Sequence, residues 1–242
     1  MAGRQKNKWT DRDVEAHWDR VANIYIREND RVKVTHDQRF KESLRFLEIQ
    51  PGMKVLNITS RDAGADGYLR SAEPDCRILH AEISQGLMKV AARLRPGILQ
   101  VKLENYSVLP FANGQFDRIL SLETLEHVAE PYAFLSELHR ISTADTRMVL
   151  SCPPATSELP YRFYTLFFGG HGEGPHRFLP SSEVKIMLKE TGWKLLAHKG
   201  TILVPVGPSW LQRAGEKLID RWQGTFLSEM GIRQFYICEK SY

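Results

Sequence analysis

Short apolar runs rich in β-branched residues recur along the chain at residues 54–58, 77–83, 98–103, 116–122 and 147–152. Between several of them, at 63–73, 84–95 and 130–142, apolar residues fall instead at helical spacing. Alternation of this kind predicts right-handed β-α-β crossovers and a parallel sheet covered by helices on both faces. Strands buried on both faces should be apolar throughout, and Arg118-Ile119-Leu120 and Met148-Val149-Leu150 fit that expectation.

The flanks read differently. Val14, Trp18, Val21, Ala22 and Tyr25 predict a helix over 11–30 with Thr10 or Asp11 as its cap, and a second helix over 36–47 should stop before Pro51-Gly52. After Cys152 the rhythm breaks, and residues 153–180 are too long for a simple strand-to-helix loop. Tyr161, Phe163, Tyr164, Phe167 and Phe168 precede a Gly-rich run there. Such a segment can form a hinged lid, pack on the domain or serve a dimer interface. Beyond it the pattern predicts a helix over 181–191, capped by Ser181 or Ser182 and ended by Gly192. A strand over 193–204, an amphipathic helix over 209–222 and a last strand over 234–239 follow.

Composition narrows the class. The chain has 242 residues, 42% hydrophobic and 26% charged, which suits one α/β domain with an insertion and leaves little room for two. The formal net charge of +4 is in part an N-terminal excess (Arg4, Lys6, Lys8), read as a solvated tail. With no basic stripe interleaved with aromatics, nucleic acid is not an expected partner. Cys76, Cys152 and Cys238 are far apart and unpaired by spacing, so buried free thiols in a reducing compartment are expected. No signal peptide and no apolar run long enough to cross a bilayer is read from the chain, which makes the cytoplasm the expected location and leaves membrane-surface association open.

Residues 55–69, VLNITSRDAGADGYL, follow the first strand and hold the main chemical question. A turn from strand to helix at a ligand site ordinarily uses glycine, so that the backbone can bend and approach closely. Thr59, Arg61 and Ala63 stand where those glycines belong. Further on, residues 78–88 read ILHAEISQGLM, a strand ending in an acid, and residues 109–128 read LPFANGQFDRILSLETLEHV. On these three passages the chain resembles the class I S-adenosylmethionine (SAM)-dependent methyltransferases, particularly the ubiquinone-biosynthesis-like, type 11 group acting on small molecules. The resemblance covers 36–150 well and the C-terminal part in outline.

The resemblance implies a Rossmann-like α/β fold with a mostly parallel seven-stranded sheet, helices on both faces and an inserted lid. It implies a single domain over 1–242, with 1–35 a helical arm and 153–180 the lid or substrate insertion. It implies SAM as cofactor and S-adenosylhomocysteine as product. Glu82 would accept from the ribose diol and Ile83 would lie against the adenine. Asn105 would accept from the adenine amino group or simply form a turn, and Tyr106 would offer its backbone N–H to the ring. Asn57, Thr59 and Arg61 belong to the cofactor turn, and Ser121 and Leu122 to the sheet edge where open α/β sheets bind ligands. Arg39 either faces the cofactor's carboxylate or lies on a solvated helix face.

On the acceptor side, His127, His171 and His176 are the candidate general bases, each weighed against a structural or solvated imidazole. His171, Glu173 and His176 are too weak a set to predict a metal. The altered turn departs from the family: a side chain at positive φ costs about 1 kcal/mol, more if β-branched. Gly64 and Gly67 offer another way to bend, with Asp62 or Asp66 then meeting the α-amino group. Two main readings follow. One is methyl transfer to O or N of a small or lipid-like acceptor, with a homodimer or protein partner open. The other is a non-catalytic methyltransferase-like partner subunit or binding protein; exchange of SAM for another nucleoside compound is a third.

Overall fold

A computed structural model describes residues 9–31, 33–159, 174–204 and 208–241. The elements in chain order are α1 (Asp11–Arg31), α2 (Lys33–Leu47), β1 (Lys54–Ile58), α3 (Ala65–Ala72), β2 (Arg77–Glu82), α4 (Gln85–Leu94), β3 (Gln100–Lys102), β4 (Phe116–Leu122), α5 (Pro131–Ile141) and β5 (Ser142–Cys152). After the insertion come α6 (Ser181–Glu190), β6 (Trp193–Thr201), α7 (Ser209–Arg221), α8 (Phe226–Glu229) and β7 (Arg233–Lys240). The seven strands form one sheet in the order β3-β2-β1-β4-β5-β7-β6. The first five strands run parallel, and β7 lies antiparallel to both β5 and β6.

Side chains of successive strand residues point to opposite faces, and two clusters cover the sheet accordingly. Leu56, Ile58, Ile119, Met148 and Leu150 pack with Phe134 and Leu138 of α5 and Val184 and Leu188 of α6. Val55, Leu120 and Val149, one residue out of phase, pack with Leu47 of α2 and Leu69 of α3. A third cluster joins Val14, Trp18, Val21 and Tyr25 of α1 to Leu87 and Val90 of α4. Gly86 permits that contact, because a Cβ there would stand 3.0 Å from the backbone of Asp19.

The structure corrects several expected boundaries. β3 is only three residues long, β5 starts at Ser142, and β6 ends at Thr201. No serine caps α6: Pro180 occupies that position, and the Ser181 hydroxyl donates to the Glu229 carboxylate. Helix α8 was not expected from the pattern, being a single short turn. All three cysteines are buried and free.

Candidate functional site

The strand order reverses between β1 and β4, and such a switch point opens a crevice at the C-terminal ends of the strands. The turn after β1 occupies that crevice. Thr59, Arg61 and Ala63 all adopt left-handed backbone, with φ of 55°, 53° and 57°. Glu123, directly after β4, does the same at φ 53°. The turn therefore bends where glycines would have bent it. Gly64, at φ −59°, has an ordinary helical conformation, so the alternative bend at Gly64 is not used.

Glu82, at the end of β2, is fully buried. Its Oε2 accepts from the Arg61 N–H at 2.6 Å, and its Oε1 accepts from the N–H groups of Ile83 and Ser84, both at 2.9 Å. Burial pushes this carboxyl above its usual range, against Arg61 and the three N–H donors, which favour the charged form. A carboxylate offers about four acceptor positions. Three are taken here, which leaves too little for the two hydroxyls of a ribose.

The Arg61 side chain fills the crevice itself. It is 7% exposed, and its guanidinium carbon lies 3.6 Å from the centre of the Trp18 ring on α1. Its Nη2 points at the Glu123 carbonyl, 3.5 Å away. The cleft that remains between Arg39, Asn57, Thr59, Arg61 and Leu122 measures about 20 Å³. That holds about one water, whereas small-molecule sites run to roughly 300–1,000 Å³. In this conformation the residues present do not fit SAM: the backbone has the shape of a cofactor turn, but a protein cation stands in it.

Other expected contacts are also taken from within. The Tyr106 N–H, expected to face adenine, donates to Asp11 Oδ2 at 2.7 Å, and the fully buried Tyr106 hydroxyl accepts from Thr59. The Asn105 side chain accepts from Val108 N–H, so its turn role is the one observed. Ile83 is fully buried in the core. Asp62 is bound by Arg95 at 2.8 Å, and Asp66 by His80 and Arg70, which leaves neither for an α-amino group. Asn57 extends the Asp66–His80 pair through a 3.1 Å contact with the other ring nitrogen of His80. Arg39 is 9% exposed and lines the cleft, which corrects the solvated-face alternative. Leu122 also lines it, and Ser121 is fully buried, its hydroxyl without a hydrogen-bond partner among the described residues.

His127 is 2% exposed, and its Nδ1–H donates to the Pro175 carbonyl at 2.9 Å. That bond leaves Nε2 with the lone pair. Burial first, then the Arg61 charge, holds this imidazole well below its ordinary value, so it is neutral at physiological pH. His176 packs against it with ring centres 6.3 Å apart. His171, Glu173 and the aromatic stretch from Tyr161 to Phe168 lie outside the described residues. Among the described residues no three His, Cys, Asp or Glu side chains converge on a metal-sized site.

The residues that pattern reading missed lie on α1. Asp11 accepts from the N–H groups of Tyr106 and Ala129, and Asp19 accepts from the Ser84 hydroxyl and the Gly86 N–H. Trp18 supplies the ring under Arg61. Together they place α1 across the crevice. Two acids and a Trp in an N-terminal helix were visible, but nothing local marked what they would meet.

A family described as "Methyltransferase domain" matches residues 63–150. A demethylmenaquinone methyltransferase of Beutenbergia cavernae is 30% identical over 161 residues, which is 64% of this chain and 66% of the relative, just under two thirds of its length. A ubiquinone biosynthesis O-methyltransferase of Cereibacter sphaeroides is 26% identical over 181 residues, covering 70% of this chain and 68% of that one. Among solved structures, the methyltransferase in a complex with the Haloferax volcanii Trm112 methyltransferase activator has a TM-score of 0.68 at 14% identity, covering 93% of this chain and 98% of that one. A SAM-dependent methyltransferase of Thermotoga maritima gives 0.66 at 16% identity, with 93% and 99% covered.

Proposed function

We propose that the chain, which is similar to the class I SAM-dependent methyltransferases, uses S-adenosyl-L-methionine to transfer a methyl group to O or N of a small or lipid-like acceptor. The relatives named for quinone biosynthesis favour a ring-bearing, apolar acceptor of that kind. The observation that carries the reading is the turn after β1, where three residues other than glycine keep positive φ beside the acid that ends β2. A backbone held in that shape against its side chains retains the form of a cofactor turn.

The conformation described is then a closed one. SAM carries a sulfonium cation, and the Arg61 guanidinium already places a positive charge over the Trp18 ring, where its field reaches Glu82. The two cations do not share the cleft, so Arg61 has to swing out before cofactor enters. A long side chain can do so by rotating about its own χ angles, without refolding the turn. Of the imidazoles, His127 is the base candidate next to the Trp18 ring that carries Arg61, at 5.6 Å between ring centres, and His176 packs beside it.

The filled cleft also favours a second reading, a methyltransferase-like binding or partner subunit. Titration calorimetry with SAM and S-adenosylhomocysteine separates the two, using wild type and Arg61→Gly. Binding that strengthens in Arg61→Gly supports the closed enzyme. Absence of heat from both ligands in both proteins leaves the partner reading.

A further inference from the structure

Helices α7 and α8 connect β6 to β7, and β7 begins at the edge of the sheet where the crevice lies. Gln234 pairs with Cys152, the last residue of β5, and the Arg233 side chain reaches Glu123 at 3.1 Å. The inner face of α7 is fixed. Ile219 is fully buried, Glu216 accepts from the Ile202 N–H at 2.7 Å, and Gln223, just past the helix, exchanges two hydrogen bonds with Gly200. Gly215 lies so close to Val204 that a Cβ would stand 2.8 Å from its side chain.

That anchoring determines what faces out. At about 100° per residue, Trp210, Leu211, Leu218 and Trp222 share an arc of about 120°. They are 63%, 37%, 45% and 49% exposed. Phe226, starting α8, and Met230, just after it, extend the apolar surface at 74% and 47% exposure. Arg213 and Lys217 occupy the neighbouring arc and Arg221 falls beside Trp210 at its border, all three exposed. The acids of this segment are drawn away from that arc: Glu216 to Ile202, Asp220 to Lys199, and Glu229 to Ser181. The outward face is therefore apolar on one side and cationic on the other.

We propose that this face docks on an anionic lipid bilayer, with α7 lying in the membrane–water interface. Tryptophans at the ends of an apolar stripe suit the depth at which headgroups meet acyl chains, and a flanking row of Arg and Lys suits anionic headgroups. A second copy of the chain fits less well. An isologous contact would bring Arg213, Lys217 and Arg221 of two protomers around one axis, like charge against like charge. Docking here would set the crevice edge toward the bilayer and does not depend on whether SAM binds.

Co-sedimentation of the full chain with vesicles tests this, using phosphatidylcholine alone and phosphatidylcholine mixed with phosphatidylglycerol. The wild type is expected to pellet with the mixed vesicles at low salt, less with phosphatidylcholine, and to be released as salt rises. Trp210→Ser/Trp222→Ser should abolish pelleting. Arg213→Gln/Lys217→Gln/Arg221→Gln should weaken it on the order of a hundredfold while leaving the thermal melt in place. No pelleting of wild type with phosphatidylglycerol vesicles overturns the proposal. So does pelleting that both variants retain, or light scattering that shows a dimer broken by Leu218→Glu.

Discussion

Residues 55–69 and 109–128 run through the neighbouring parallel strands β1 and β4 and depart from each other in what they do. The second passage carries the LPF…FD…LEHV pattern, and its first half, up to Asp117, is spent on scaffolding. Arg140 of α5 holds the carbonyls of Leu109 and Phe111 and the side chain of Asn113, Glu137 accepts from the Leu109 N–H, and Asp117 accepts from the Lys54 N–H. Phe111 and Phe116 pack edge to face at 5.2 Å. The first passage has Thr59, Arg61 and Ala63 where glycines would suit yet keeps the glycine-like backbone, and its Arg61 side chain fills the crevice instead of lining it. The easily recognised motif thus holds the frame through its first half and brings Leu122 and His127 to the crevice end through its second, while the altered turn decides what fills that crevice.

Substitutions can break or sharpen that contrast. The largest effect is expected at Glu82. Glu82→Ala strands three buried N–H donors and should lower unfolding free energy by about 4 kcal/mol in a urea titration. An effect below about 1 kcal/mol would mean that the turn does not rest on this carboxylate. Next is Arg61→Gly, which removes a desolvated cation–π contact of about 2 kcal/mol that cofactor must otherwise displace. Calorimetry should show SAM affinity rising about thirtyfold.

On the scaffold side, Arg140→Ala should cost about 1.5 kcal/mol of stability, with SAM affinity unchanged. A parallel loss of affinity would erase the division between frame and chemistry. His127 supplies a pH dependence of similar size. Its folded value is depressed below 6.5, so its contribution is complete above that unfolded value. The contribution is lost as pH falls toward the folded value, at up to about 1.4 kcal/mol per pH unit. Urea midpoints measured from pH 7 down to 5 should fall more steeply in wild type than in His127→Gln. The smallest effect is expected for Thr59→Gly. It relieves positive-φ strain but loses the bond to Tyr106, and should change SAM affinity by less than tenfold, about 1.4 kcal/mol.

Much of the frame was legible. All seven strands, with β3, β5 and β6 differing in their bounds, and most of the helices lie where apolar periodicity placed them, because spacing of 2 or near 3.6 reports which side of the chain must be buried. Caps and ends were read less well: Ser181 looked like the cap of α6, but its hydroxyl had a better acceptor in Glu229, 48 residues away. The turn after β1 lies where the pattern placed it, and the need for positive φ at Thr59, Arg61 and Ala63 was visible from the positions alone.

What the chain by itself determined, then, is the order of strands and helices, the faces they bury and the place of the turn. These follow from local periodicity and backbone sterics. Only the tertiary structure decided who occupies the crevice. Asp11 reaches Tyr106 across 95 residues and Asp19 reaches Ser84 across 65, and Trp18 meets Arg61 because those two contacts lay α1 over the turn. A buried donor or cation takes whatever partner packing brings within 3 Å or so, and that partner is set by how helices cross, a quantity no local pattern encodes.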